Sequence, residues 1–244
     1  MKKLVLLIIT LIAVNLTAQQ SVVLRYNYKK GDVYEIKMKM TQEMGDVMAQ
    51  TTNMVMSQKT VAINGDTIVN NTKIEKMSMD MLQGGQIISF DSSKKDDELD
   101  EMGKMMKTQM APLLSVVMTS KLSSLGDLLD TTIEPNIPQA QEMGKQNSSV
   151  VYPKEEVKVG STWSTTKQEN GMTVKIDYTV KSISDTEVVL NIGGDVSGMG
   201  TGTVSGNMNI DKDSGVPVVS KLEMNLNVQG QNLKIGVSST IEKH

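Results

Sequence analysis

Methionine is the residue type with the most chemistry to offer here: 20 stand against one Phe and one Trp. They recur at alternate positions (Met38 and Met40, Met54 and Met56, Met77, Met79 and Met81) and again at helical steps (Met102, Met106, Met110). An unbranched, polarizable thioether suits three roles. It fills irregular core space in place of Leu and Phe, it lines a groove that adapts to lipophilic or peptide ligands, or it offers soft sulfur to Cu(I). Same-face neighbours on a strand lie ~6.6 Å apart, so two sulfurs converge on one ion only by bending inward. No His or Cys stands near to assist them, and no metal site is expected. The ten methionines named above are the expected lining of a ligand groove.

The remaining constellations read as structure. The chain has no Cys and its one His is the terminal His244, which removes Cys/His zinc sites, thiol nucleophiles and Ser-His-Asp triads. Asn209, Asp211 and Asp213 match alternate positions of a calcium loop. However, Ser214 stands where that loop needs Gly and Ser220 where it needs Glu, so a hairpin turn is expected. The acidic run Asp96 to Glu101 could pair carboxylates for glycoside chemistry, but at the exposed start of a helix it reads as a cap. Gly193, Gly194, Gly198, Gly200 and Gly202 lack the Gly-Lys-Ser/Thr of a phosphate loop and suggest a flexible loop or a bulged strand. Tyr34 and Trp163 are expected as core anchors, with sugar stacking as the alternative. No catalytic set and no cofactor are expected; an enzyme built only from Asp, Glu, Ser, Lys or Tyr stays open.

These side chains need elements to position them, and most of the chain alternates with period two. Leu222, Met224, Leu226 and Val228, preceded by Val216 and Val218 with Ser220 as a gap, face one way against Lys221, Glu223, Asn225 and Asn227. Leu233, Ile235, Val237 and Ile241 resume the pattern after a turn at Gly230, giving an antiparallel hairpin with one wet face. Tyr34 to Met40, Met77 to Met81, Val174 to Val180 and Val188 to Ile192 behave alike. Asn64-Gly65 reads as a tight turn. One stretch departs: Leu99, Met102, Met106, Met110, Leu113 and Val117 step by three or four, which predicts an amphipathic helix over 96–119, kinked or restarted at Pro112. Residues 121–132 read as a strand pair turning at Gly126-Asp127, with a continuing helix as the alternative, and 135–149 as a polar connector with a helical turn after Pro138.

Met1-Lys2-Lys3 followed by the apolar run Leu4 to Val14 reads as a signal peptide, residues 1–18, cut after Ala18. An 11-residue apolar core is shorter than the ~20 residues that span a bilayer, and without Cys no lipid anchor is available. The mature chain is expected free in the periplasm or outside the cell, with no transmembrane segment. Loss of Lys2 and Lys3 takes the formal charge from −3 to −5 (23 basic against 28 acidic residues), which argues against nucleic acid as a partner. Three ordered matches suggest an internal duplication. Gly31 to Tyr34 pairs with Gly160 to Trp163, Thr60-Val61 with Thr179-Val180, and Phe90 to Ser93 with Ile210 to Ser214, at offsets of 129, 119 and about 121.

The leader, the Gly31-Asp32-Val33-Tyr34 strand, the Tyr152-Pro153 to Trp163 stretch and the Gly-rich strand ending in Asp211 to Gly215 resemble an uncharacterised family of exported Bacteroidetes-type proteins. More remotely, the expected architecture is similar to the LolA/LolB lipoprotein carriers and related lipid-binding half-barrels. The expected fold is mainly β: a curved antiparallel sheet forming an open half-barrel, with one amphipathic helical segment packed on it. A single domain over 19–244 divides into a first meander (19–93), a helical insert and connector (94–149) and a second meander (150–244). The expected role is non-enzymatic binding of a lipid, another hydrophobic ligand or a lipidated envelope partner in a Met-lined concavity. The alternative is a structural or interaction protein of the envelope with a filled core.

Overall fold

A computed structural model describes residues 20–45, 48–138, 140–141, 150–169 and 171–244. The leader and part of the connector, 142–149, lie outside the described residues. The strands are β1 (Ser21–Val22), β2 (Val33–Met44), β3 (Met48–Asn64), β4 (Thr67–Gln83), β5 (Gln86–Asp91), β6 (Val117–Ser123), β7 (Leu128–Glu134), β8 (Val157–Lys158), β9 (Thr162–Glu169), β10 (Met172–Ile183), β11 (Glu187–Gly198), β12 (Gly200–Asp211), β13 (Pro217–Val228) and β14 (Gln231–Lys243). One α-helix, α1 (Glu101–Leu114), lies between β5 and β6. Strands β1 and β8 form a small ribbon. The others form one antiparallel sheet in the order β7-β6-β4-β3-β2-β14-β13-β12-β11-β10-β9, with β5 beside the far half of β4. The period-two pattern is thus realised as a mainly β fold, a large antiparallel sheet that is not closed, with α1 as the one helix of several turns among the described residues; residues 138, 140 and 141 are also helical.

The last strand, β14, pairs with the first long strand, β2, and so joins two meanders into one sheet. Each meander begins with the same turn. Gly31 and Gly160 take φ of +95° and +86°, a region that side-chain-bearing residues avoid. Gly31 N donates to Thr60 O (2.8 Å) and Thr60 N to Asp32 O (2.9 Å); Gly160 N donates to Val180 O and Val180 N to Ser161 O, both at 2.9 Å. Asp32 Oδ2 accepts from Lys29 N and Ser161 Oγ from Lys158 N, each at 3.0 Å. The register then breaks between Thr60 and Ala62 in β3, and between Val180 and Ser182 in β10. Thr60 therefore corresponds to Val180, one residue from the sequence match. The third match is displaced further. Ile210 lies opposite Val188 as Leu122 lies opposite Ile68, so the counterpart of Ile210 is Leu122 and not Phe90.

The cause is the helix. Asp91 pairs with Ser78 and Val117 with Lys73, so β5 and β6 are successive parts of one path along β4, interrupted by residues 92–116. Where a helix was expected over 96–119, Asp96–Glu98 form a separate 3-10 turn, α1 starts at Glu101, and Val117 belongs to β6. Asp100 sets the start, its side chain accepting from Gly103 N at 2.7 Å. Pro112 lies in the last turn rather than at a mid-helix kink, and Ser115 ends the helix. The strand pair β6 and β7 forms as expected around Gly126, and the β3–β4 turn centres on Gly65-Asp66.

Side chains at Tyr34, Ile36 and Met38 and at the positions registered with them face inward. Glu35, Lys37 and their equivalents face water, with along-strand ion pairs such as Lys37–Glu35 at 2.9 Å. The segment before β2 shows that the sheet curls. Tyr26 N donates to Ser124 O after β6, and Asn27 N to Ser214 O after β12, both at 2.8 Å. Six strand spacings separate β6 from β12, ~29 Å across a flat sheet, yet adjacent residues bond both. Segments 22–32 and 150–157 thus plug one end of a curled sheet. Leu24, Tyr26, Tyr152 and Val157 pack there with Ile68, Val180, Leu190 and Ile210. Tyr152 Oη donates to Gly215 O at 2.8 Å, and Trp163 stacks on Tyr178 while its Nε1 donates to Val151 O. Tyr34 is buried, so both aromatic residues sit in or against this core.

Candidate functional site

The register brings the strand methionines into cross-strand rows on the inner face. Ile36, Met56 and Ile74 form one row; Met38, Met54 and Met77 the next; Met40, Thr52 and Met79 the third; Gln42, Gln50 and Met81 the fourth. β5 adds Phe90 opposite Met79 and Ile88 opposite Met81. Helix α1 lies over β4 and β5, and its Met106 is buried in one cluster with Met54, Met77 and Phe90; Met38, Met79 and Met110 pack against it. Phe90, at 2% exposure, is the most deeply buried member of that cluster. Here the helix fills the face instead of standing off it. Met40, Met56 and Met81 are half-buried on the same face outside the cluster, whereas Met102 is 42% exposed and joins neither group.

The uncovered part of the inner face lies elsewhere. On β14, β2 and β3 the half-buried Val237, Met40, Ile36 and Met56 stand outside the buried clusters, whereas Leu222, Met224 and Ile235 pack against the main core. From β13 across to β7, Lys243 is the one charged residue at an inner-face position among the described residues, and Asp32 Oδ1 holds its Nζ at 2.7 Å. An apolar trough without ionised groups favours hydrocarbon and rejects unpaired charge.

Titratable groups near the trough are tyrosines at its plugged end. Tyr34, Tyr28, Tyr26 and Tyr152 form a chain of ring contacts with centroids 5.0–5.7 Å apart. Burial pushes the Tyr28 hydroxyl up to about 12 and raises those of Tyr26, Tyr34 and Tyr152 well above their ordinary value. Such groups stay protonated and serve as neutral donors. Burial also acts to raise the Asp32 carboxyl, but the Lys243 ammonium and the Lys29 N–H outweigh it and hold the value below the ordinary carboxylate range.

The other sequence candidates lie at structural positions. Asp211 accepts from Ser214 N at 2.8 Å within the β12–β13 turn, and Asn209 Nδ2 donates to Glu187. Asp96 pairs with Lys107 at 2.6 Å and Asp100 caps α1. Gly193, Gly194, Gly198, Gly200 and Gly202 lie in β11 and β12. Among the described residues, no three Asp, Glu, His or Cys residues group as a metal site, and no helix is long and apolar enough to cross a membrane.

Sequence reasoning missed a polar row. Thr60, Asn70, Ser120 and Thr131 lie opposite one another on β3, β4, β6 and β7, and the first three are buried. The alternation Ile68, Asn70, Thr72, Ile74 carried the signal, since it places an amide between inward apolar residues. No curated protein matches the chain. Residues 138–232, which take in the second plug segment and β8 to β13 but none of the methionine rows, match a family described as "Family of unknown function (DUF6263)".

Proposed function

We propose that this chain is an exported, non-enzymatic carrier that holds a lipid or other hydrophobic ligand against the inner face of β14, β2 and β3. One observation carries it: the central strands carry half-buried apolar side chains, Val237, Met40, Ile36 and Met56, that belong to neither the plug core nor the α1 cluster. Half-buried Ile and Val leave area for a ligand to cover, at roughly 25 cal/mol per Å², and Met40 and Met56 adapt to its shape. Export rests on the Lys2-Lys3 leader and its apolar run. A structural envelope protein is the second reading. The buried contact of Met106 with Met54, Met77 and Phe90 favours it, because that part of the face is already filled.

Secretion from its own leader followed by native mass spectrometry tests both parts. The mature mass should begin at Gln19 and carry a co-purifying amphiphile, and a hydrophobic dye should bind the stripped protein saturably. Val237→Lys, which puts a charge in the trough, should weaken dye binding about tenfold or more. A bare protein with no saturable dye binding sinks the carrier and leaves the structural reading.

A further inference from the structure

We propose that the inner face carries a polar subsite, Asn70 with Thr131, that receives the uncharged, hydrogen-bond-accepting head group of an amphiphile, so that the ligand class is a neutral lipid such as an acylglycerol. This deepens the carrier reading and rests on it.

Thr60 Oγ1 donates to Asn70 Oδ1 at 2.8 Å, which spends the amide's acceptor and leaves its donor. Asn70 Nδ2 and Thr131 Oγ1 are both sealed from solvent, and neither has a hydrogen-bond partner. A buried donor left unmade is a standing cost that a bound acceptor relieves. The second meander shows that the sheet does not require this polarity. The positions equivalent to Thr60, Asn70 and Ser120 are Val180, Leu190 and Met208 in the same register, and the Thr131 counterpart, Ser220, is satisfied by Ser239 at 2.7 Å.

From Asn70 the inward positions pass Thr72 on β4 to Met56 on β3, Ile36 and Met40 on β2 and Val237 on β14, polar and then apolar and outside the α1 cluster. That is the order of an amphiphile. A phosphate or carboxylate head would find no free counter-ion, because Lys243 is held by Asp32, and its desolvation would go uncompensated. Access requires the neighbouring layer to lift. Met118 and Ile133, beside the polar row, are packed under Leu113, Val116, Ile137 and Ala140 from the end of α1 and the connector.

The test displaces a bound hydrophobic dye from the whole mature protein with a monoacylglycerol and a lysophospholipid of equal chain length. The wild type should prefer the monoacylglycerol by about tenfold. Asn70→Leu and Thr131→Val should bring that preference to within about twofold. Leu occupies the equivalent position 190, so the substitution suits the fold, and denaturant midpoints check that it does. Equal binding of the two lipids by the wild type, or a preference that survives Asn70→Leu, overturns the subsite alone. Failure of the dye to bind the wild type overturns the carrier reading and the subsite with it.

Discussion

Asp32 shows how one residue can serve a turn and a long-range tie together. Its Oδ2 accepts from Lys29 N, as Ser161 Oγ does from Lys158 N in the second meander, so the turn needs only a short oxygen acceptor. The carboxylate adds the Lys243 pair, which fastens the end of β14 beside the start of β2, with the ammonium also 5.8 Å from the Tyr34 ring centre. Asp32→Ser keeps the turn and deletes the pair. Because the Asp32 side chain is 11% exposed and that of Lys243 49%, the loss at neutral pH should be about 1 kcal/mol. A carboxyl held below its ordinary value gives stability that is present above the unfolded value of about 3.9 and vanishes as pH falls through the lower folded value. Urea midpoints of wild type and Asp32→Ser should therefore differ at pH about 7 and converge near pH about 2. A constant gap would mean that the carboxylate charge contributes nothing.

At the scale of elements, helix α1 is an excursion that interrupts one strand path and covers the methionine rows of the other strands. Its hold on the sheet is specific to one stripe. Met106 is 8% exposed within the Phe90 cluster, while its neighbour Met105 is 48% exposed. Met106→Ala should cost about 2 kcal/mol or more through lost transfer energy and a residual cavity, and Met105→Ala within about 0.5 kcal/mol. Equal costs in chemical denaturation would mean that the helix is not docked as described. The three- and four-residue steps in the sequence revealed the helix but not its limits, for a physical reason. Asp96 to Glu98 satisfy their own 3-10 turn, and Val117 continues the helical spacing yet bonds opposite Lys73. Met102 shared the spacing of Met106 and Met110, and burial alone separates them. The strand methionines were easier to assign because a period of two leaves only two faces, and register sets which residues are neighbours.

At the scale of the molecule, the alternation of each strand was legible locally, but the pairing of β14 with β2 joins residues about two hundred positions apart and left no local mark. The plug was hidden for a related reason. Val22, Leu24, Tyr26 and Tyr28 alternate inward against Arg25 and Asn27, so an extended segment was legible, but nothing local says that it crosses the end of the sheet, and Tyr26 and Tyr152 read as isolated aromatics until the curl of the sheet unites them. That union sets the alkaline limit of the fold. Tyr26, Tyr28, Tyr34 and Tyr152 meet in the plug and Tyr178 under Trp163, and burial raises the hydroxyl of every one. The unfolded chain releases these protons near pH 10, whereas the folded chain retains them, so it binds more protons than the unfolded chain above that pH. Stability is then whole below pH 10 and falls as pH rises, by about 1.4 kcal/mol per pH unit for each tyrosine still neutral in the fold. Tyrosinate absorbance should stay flat past pH 10 and then rise in one step, together with loss of the β-sheet circular dichroism. Tyrosinate appearing near pH 10 with the sheet intact would show that the plug is open to water, and a carrier whose trough is sealed at that end could not be built on it.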